Sequence, residues 1–203
     1  MRGNIKRRKQ HDLTAILLAV VMCISGCAGG QSPSVTELAD GQVPDYVDVQ
    51  IIDVNGMGRR GVALEEVNDI VIHYVGNPGT TAQQNHDYFD KPETEVSSHF
   101  LVGLEGEIIQ CVPLDEKASA SNDRNRDTIS VEVCHPDETG VFHEATYDSL
   151  VKITAWLCQT YELDTTHIIR HYDITGKMCP LYFVEHEDAW EQFIADVDAC
   201  INK

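Results

Sequence analysis

Short runs of apolar or alternating residues, separated by turn-forming residues, predict six β-strands in this chain. The run at 128–134 is the most informative, because Ile129, Val131 and Val133 fall on one face and Glu132 on the other. Glutamate is depleted in strand interiors, so we expect Glu132 either to face solvent on an edge strand or to line a site. The predicted strands span 47–54, 70–75, 99–104, 107–112, 128–134 and 166–169.

Two segments carry apolar residues at helical spacing, and a third helix is predicted after Thr80 or Thr81, either of which can cap it. Two stretches without such a pattern, 115–128 and 170–180, are predicted to be loops. Strands and helices alternate along the chain in an order that predicts a single α/β domain, with a central mixed β-sheet flanked by helices. The predicted helices span 80–90, 144–161 and 185–201.

Residues 1–26 have the features of a bacterial lipoprotein signal peptide. Five basic residues precede the apolar run 13–24, which is too short to span a bilayer comfortably. Small residues come just before Cys27, which predicts cleavage there and lipidation of Cys27. An uncleaved anchor and an ordinary secretory signal are the alternatives. Residues 27–48 are predicted to be a tether, and residues 49–203 the folded domain.

The charge balance excludes some classes of partner. The chain has 15 basic and 33 acidic residues and a formal net charge of −18. Without residues 1–26, 10 basic and 32 acidic residues remain, a net charge near −22. Such a surface argues against binding to nucleic acid or to an anionic bilayer, so we expect membrane contact through the lipid on Cys27 alone. The expected location is the outer face of the bacterial cytoplasmic membrane.

The segment 170–180 places three reactive side chains just after a predicted strand: His171, Lys177 and Cys179. His73, in an earlier predicted strand, is a possible partner. Two imidazoles and a thiolate can hold Zn2+ and leave a fourth position for water. Alternatively, His73 is a core residue with satisfied hydrogen bonds, or Cys179 is a nucleophile with His171 as its base.

Seven cysteines are present, and export would permit disulfides. Cys158 and Cys200 both lie late in predicted helices and could meet. Cys111 and Cys134 end predicted strands and could equally be small buried residues. The sequence leaves the pairing of these four cysteines open.

Four pieces of the chain, within about 68–197, resemble the zinc-dependent N-acetylmuramoyl-L-alanine amidases of the type 2 class. These enzymes share a fold with phage amidase-type lysozymes and peptidoglycan recognition proteins. The piece from Arg170, Arg-His-Tyr-Asp-Ile-Thr-Gly-Lys-Met-Cys-Pro, is the most specific, because His, Lys and Cys all fall at the family spacing. The others are Ile-Val-Ile-His-Tyr from Ile70, Ser-Ser-His-Phe-Leu-Val from Ser97, and Ile-Ser-Val-Glu-Val-Cys from Ile129.

The resemblance implies a role for each candidate residue. His73, His171 and Cys179 would bind zinc, Glu132 would be the catalytic general base, and Lys177 would stabilise the tetrahedral oxyanion. The substrate would be peptidoglycan or muramyl peptides. The bond cut would be the amide between the lactyl group of N-acetylmuramic acid and the first L-alanine of the stem peptide.

Other positions have alternative roles or depart from the family pattern. His99 could orient substrate or pair with the catalytic carboxylate, or it could be a strand residue facing solvent. Asp173 could support a metal ligand or hold a turn. Ser98 stands where some members carry a tyrosine, and the loop from Lys117 lacks the Trp-His pair of many members.

Two other functions remain open from the sequence. A non-catalytic lipoprotein of the same fold would bind peptidoglycan without cutting it. A structural envelope lipoprotein would use none of these residues chemically. We expect the protein to be a monomer in each case.

Overall fold

The computed structural model describes residues 43–54 and 56–203, which form one mixed β-sheet with helices on both faces. The predicted single α/β domain is therefore confirmed for the described part of the chain. The predicted signal peptide, Cys27 and the tether up to residue 42 lie outside these residues. No helix within the described ranges has both the length and the hydropathy needed to cross a bilayer.

Six strands make up the sheet, in the order β1-β4-β3-β5-β2-β6. β3 and β4 are antiparallel, and every other neighbouring pair is parallel. Because β3, β5, β2 and β6 run in one direction, their carboxyl ends meet at one edge of the sheet. The strands are β1 (Val47–Val49), β2 (Asp69–Tyr74), β3 (Phe100–Val102), β4 (Ile108–Gln110), β5 (Thr128–Val133) and β6 (Ile168–Arg170).

The described residues form five α-helices, which include the three that the sequence predicts and two that it does not. They are α1 (Ala82–Phe89), α2 (Glu144–Tyr161), α3 (His171–Thr175), α4 (Leu181–Glu185) and α5 (Glu187–Ile201). Thr81 caps α1 in a reciprocal arrangement, accepting from the Gln84 backbone N–H while the Gln84 side chain accepts from the Thr81 N–H. Single turns of 3-10 helix lie at Asn122–Arg126 and Thr165–His167.

Two predictions about loops were wrong. The stretch 170–180 contains α3, and the stretch 115–128 contains the 3-10 turn Asn122–Arg126. Each helix is five residues long, too short for a periodic apolar face to be visible in the sequence. The predicted strand 47–54 is also shorter, since only Val47–Val49 pairs in the sheet.

The two faces of the sheet are covered differently. On one face, α2 and α5 pack over the strands and bury the larger apolar cluster. The other face carries α1 and a smaller cluster. The alternation predicted for β5 is confirmed, because Ile129, Val131 and Val133 belong to the larger cluster. Glu132 therefore projects from the opposite, less completely covered face, where there is room for a cleft.

Pairing between neighbouring strands brings the candidate residues to the same level of the sheet, independently of the loops. His73 in β2 is paired with Glu132 in β5. On the other side of β2, Ile72 is paired with Arg170, so His171 follows β6 at the level of His73. Three chemically important residues thus come to the same edge of the sheet through strand pairing alone.

Candidate metal centre

One imidazole from β2, one from α3 and a thiol from the following loop converge at the carboxyl edge of the sheet. One ligand atom each from His73, His171 and Cys179 lies within 4.8 Å of the others. All three residues are buried, with 1%, 5% and 1% exposure. This is the only group of three or more potential ligands of this kind in the described ranges.

The distances between these atoms suit a tetrahedral zinc ion. Bonds of about 2.0–2.3 Å at tetrahedral angles put two nitrogen ligands about 3.3 Å apart, and nitrogen and sulfur about 3.6 Å apart. His73 Nδ1 lies 3.1 Å from His171 Nδ1 and 3.9 Å from Cys179 Sγ. The third pair, His171 and Cys179, lies within 4.8 Å, so a closer approach of these two side chains would let all three donors bind one ion.

Short-range interactions fold the chain so that His171 and Cys179 meet. Asp173 accepts a hydrogen bond from the Arg170 backbone N–H at 2.8 Å, which begins α3. Gly176 ends the helix with a left-handed φ of 77°, a conformation that glycine adopts without a steric cost. The Tyr172 N–H then donates to the Cys179 carbonyl at 3.0 Å. Asp173 therefore holds the turn that carries His171.

Both histidine rings are oriented through their second nitrogen. His73 Nε2 lies 3.2 Å from Ser121 Oγ, and His171 Nε2 lies 3.0 Å from Asn122 Oδ1. With each Nε2 engaged outside the centre, each Nδ1 points inward. Ser121 and Asn122 were not predicted as site residues, because they lie in a polar stretch without periodicity.

The electrostatic environment favours neutral imidazoles and a protonated thiol in the metal-free protein. Burial lowers the pKa of His73 well below its ordinary value, helped by the nearby His171 and Lys177. Burial and Lys177 also lower the pKa of His171. Burial, with a contribution from Glu132, raises the pKa of Cys179 to about 12. A neutral imidazole is the form that binds metal, whereas a thiol with so high a pKa is a poor free nucleophile.

Glu132 stands beside this centre with an unsatisfied carboxylate oxygen. Its Oε1 lies 4.0 Å from His73 Nδ1. Its Oε2 is buried and has no hydrogen-bond partner among the described residues. Burial raises the pKa of Glu132 to about 8, opposed by Lys177. No group of the described residues occupies this oxygen, so it is available to accept a hydrogen bond from water or substrate.

Two cavities adjoin the centre and meet at Val96 and Lys177. The larger, about 600 Å³, has Glu132 in its wall and includes Tyr74 and Tyr88. The smaller, about 440 Å³, includes His171 and is otherwise mainly polar. Together they form a cleft that passes over the centre, with the exposed Lys177 at its middle.

His99 is held by the protein itself. It is 1% exposed, its Nδ1 accepts from the Ser130 backbone N–H at 3.0 Å, and its Nε2 lies 2.9 Å from the Glu116 carbonyl oxygen. Both ring nitrogens of His99 are therefore engaged by backbone groups of the protein. The four cysteines whose pairing the sequence left open are free thiols: Cys111, Cys134, Cys158 and Cys200.

Comparison with known proteins places this centre in a family. Residues 63–181, more than half of the chain, match the model of the family described as N-acetylmuramoyl-L-alanine amidase. The chain belongs to the N-acetylmuramoyl-L-alanine amidase family. The matched region includes every proposed ligand as well as Glu132 and Lys177.

Individual members of the amidase family support the assignment. The chain is 32% identical over 167 residues to N-acetylmuramoyl-L-alanine amidase CwlL of Bacillus licheniformis, covering 74% of this chain and 46% of the relative. It is also 32% identical over 163 residues to the amidase BlyA of Bacillus subtilis strain 168, covering 70% and 44%. The chain thus spans about half the length of the curated amidases that it matches.

Solved structures agree with this amidase fold. The catalytic domain of XlyA superposes with a TM-score of 0.65 at 25% identity, covering 74% of this chain and 98% of that domain. PlyL superposes with a TM-score of 0.66 at 24% identity, covering 74% and 96%. The near-complete coverage shows that the described sheet and helices correspond to a whole domain of this fold.

Proposed function

We propose that this protein is a zinc-dependent N-acetylmuramoyl-L-alanine amidase. It hydrolyses the amide bond between the lactyl group of N-acetylmuramic acid and L-alanine, in peptidoglycan or in fragments released from it. Family membership supports the reaction type. The observation that carries the proposal is the convergence of three buried metal ligands beside a carboxylate whose second oxygen lacks a partner.

His73, His171 and Cys179 would hold the ion. When bound, zinc would act as a Lewis acid, lowering the pKa of water from about 15.7 to about 7 and polarising the substrate carbonyl. The positive charge would also favour the ionised forms of Cys179 and Glu132 over the protonated forms that burial favours. Proton release from these two groups would therefore accompany metal binding.

Glu132 and Lys177 supply the remaining chemistry. The Glu132 carboxylate accepts a proton from the attacking water and afterwards delivers it to the nitrogen of the leaving L-alanine. The Lys177 ammonium, at the middle of the cleft, stabilises the negative charge that develops on the carbonyl oxygen. The C–N bond then breaks, leaving a lactyl carboxylate and a free amino group on the peptide.

Digestion of purified peptidoglycan, followed by mass spectrometry, tests this proposal. We expect release of stem peptides that begin with a free L-alanine amine, together with glycan chains that retain the lactyl group. Release should stop when zinc is chelated. A control substitution, Glu191→Gln, changes an exposed glutamate on α5 and should leave peptide release unchanged. Binding to peptidoglycan without any peptide release would instead favour the non-catalytic alternative.

We further propose that the protein acts at the outer face of the cytoplasmic membrane, as a lipoprotein anchored through Cys27. The basic n-region, the apolar run and Cys27 in the sequence support this location. Cell fractionation tests it directly. The wild-type protein should sediment with membranes and Cys27→Ala should be released, whereas a Cys27→Ala protein that still sediments would refute lipid anchoring.

A further inference from the structure

The two metal-binding histidines are held from outside by consecutive residues of one segment. Ser121 Oγ lies 3.2 Å from His73 Nε2, and Asn122 Oδ1 lies 3.0 Å from His171 Nε2. His73 and His171 are 98 residues apart in the chain and arrive on different elements. A single short segment is therefore in a position to fix both rings at once.

The segment is itself anchored on both sides of these contacts. Asn125 Oδ1 accepts from the backbone N–H groups of Ala120 and Ser121, at 3.0 and 2.6 Å. Arg124 donates to Asp127 at 2.8 Å and forms an ion pair with Asp69, the first residue of β2. The segment thus spans the length of β2, from the start of the strand to His73 near its end.

The backbone at Asn122 indicates why that residue type is suited to the position. Its φ is 55°, in the left-handed region, where asparagine is tolerated far better than most residues. The side chain that leaves this turn reaches His171, although Asn122 itself is exposed. Asn122 therefore suits this turn and at the same time presents its side-chain oxygen to a proposed metal ligand.

We propose that Ser121 and Asn122 are positioning residues that select Nδ1 as the metal-binding atom of both histidines. Each accepts a hydrogen bond from Nε2–H, which fixes the tautomer and the rotation of the ring. Without these acceptors, each ring can rotate about its Cβ–Cγ bond and present either nitrogen to the centre. This proposal rests on the proposed metal centre and concerns only how its affinity is set.

The test measures zinc affinity of the purified protein by competition with a chromophoric chelator. Ser121→Ala removes one acceptor, and Asn122→Gly removes the other without imposing strain at the positive φ. We expect each to weaken zinc binding by about 10- to 100-fold, the usual effect of losing a hydrogen-bond partner of a metal ligand. Two conservative variants, Ser121→Thr and Asn122→Asp, keep an acceptor oxygen. Their zinc affinity should stay within about threefold of wild type.

A matched control and a second readout separate positioning from general stability. Asp123→Ala changes an exposed residue of the same turn and should bind zinc like wild type. In Co2+-substituted protein, the absorption bands should shift in Ser121→Ala and Asn122→Gly but not in Asp123→Ala. The melting temperature of the metal-free variants should fall by no more than about 5 °C, as expected for the loss of one hydrogen bond.

The outcomes distinguish this proposal from the one on which it rests. Zinc binding by Ser121→Ala and Asn122→Gly within twofold of wild type would overturn the positioning role while leaving the metal centre intact. Weaker binding that is matched by an equal loss in Asp123→Ala, or by a large fall in the metal-free melting temperature, would also overturn it. A wild-type protein that binds no zinc would refute the metal centre itself.

Discussion

His73 and Glu132 are paired residues on adjacent parallel strands, with His73 Nδ1 4.0 Å from Glu132 Oε1. The separation between a proposed metal ligand and the proposed base is thus set by sheet register rather than by a loop. Such placement on strands holds functional groups more precisely than placement on loops. A shift in register by one residue would turn Glu132 into the apolar cluster, so the fold strongly specifies this pairing.

Replacement of Glu132 by Gln should abolish catalysis while retaining the metal. The amide keeps the shape of the side chain but cannot accept a proton, so we expect kcat to fall by about 10²- to 10⁴-fold. Zinc content, measured on the same sample, should remain near one per chain. Near-native turnover by this variant would remove Glu132 from the mechanism.

Loss of the Lys177 ammonium should reduce turnover more than substrate binding. The side chain lies at the junction of the two cavities and is exposed, so Lys177→Ala should fold normally. We expect kcat to fall by about 100- to 1,000-fold, as for loss of one oxyanion donor, with a smaller change in KM. Steady-state kinetics on a defined muramyl peptide checks this. A change confined to KM would assign Lys177 to substrate binding instead.

His99 should make the folded state sensitive to mild acid. Burial lowers its pKa to about 4, from 6.5 in the unfolded chain. Between these values the unfolded state binds more protons, so the stabilising contribution is present above pH 6.5 and is lost as the pH falls towards 4. The full loss, reached below pH 4, amounts to about 3 kcal/mol in the free energy of unfolding, and about 2 kcal/mol of it falls between pH 7 and pH 5. Urea unfolding of metal-free protein at pH 7, 6 and 5 measures it.

The comparison for that experiment is His99→Gln, which can still donate and accept but does not titrate. Its free energy of unfolding should fall less steeply with decreasing pH than that of wild type, because the other titrating groups are common to both proteins. Parallel pH profiles for the two proteins would show that His99 does not titrate differently in the folded and unfolded states.

Substitution of Gly106 should destabilise the fold without touching the site. Its φ is 85°, and an added Cβ would lie 2.7 Å from the Ala145 carbonyl oxygen in α2. We expect Gly106→Ala to lower the free energy of unfolding by about 1–3 kcal/mol. Gly76→Ala is the control, because Gly76 has an ordinary φ and nothing within 4 Å of the added atom. Equal effects of the two substitutions would contradict this account.

The sequence allowed most of the sheet to be predicted, since each strand carries its own apolar run. Strands 70–75 and 128–134 were placed within about one residue of β2 and β5, and α2 was placed at its observed limits. The alternation in β5 also put Glu132 on the face opposite the main core. Local periodicity was sufficient in these cases because burial on one face dictates it.

The features that the sequence missed either leave no periodic apolar pattern or depend on contacts distant along the chain. α3 begins at a cap formed by Asp173 and Arg170. The helix has no periodic apolar residues from which it could be predicted. Ser121 and Asn122 acquire their role only when β2 and α3 bring His73 and His171 beside them. His99 looked like a site residue in sequence, yet its partners Ser130 and Glu116 are distant residues that only the fold could reveal.

The most direct test of the account is the return of activity as zinc is added back to chelator-treated protein. We predict that amide hydrolysis, followed by mass spectrometry of the released peptides, is absent without metal and rises linearly to full activity at one zinc per chain. His73→Ala and Cys179→Ser should fail to regain activity at that ratio. Full activity of wild-type protein carrying less than about 0.1 zinc per chain would contradict the proposed centre.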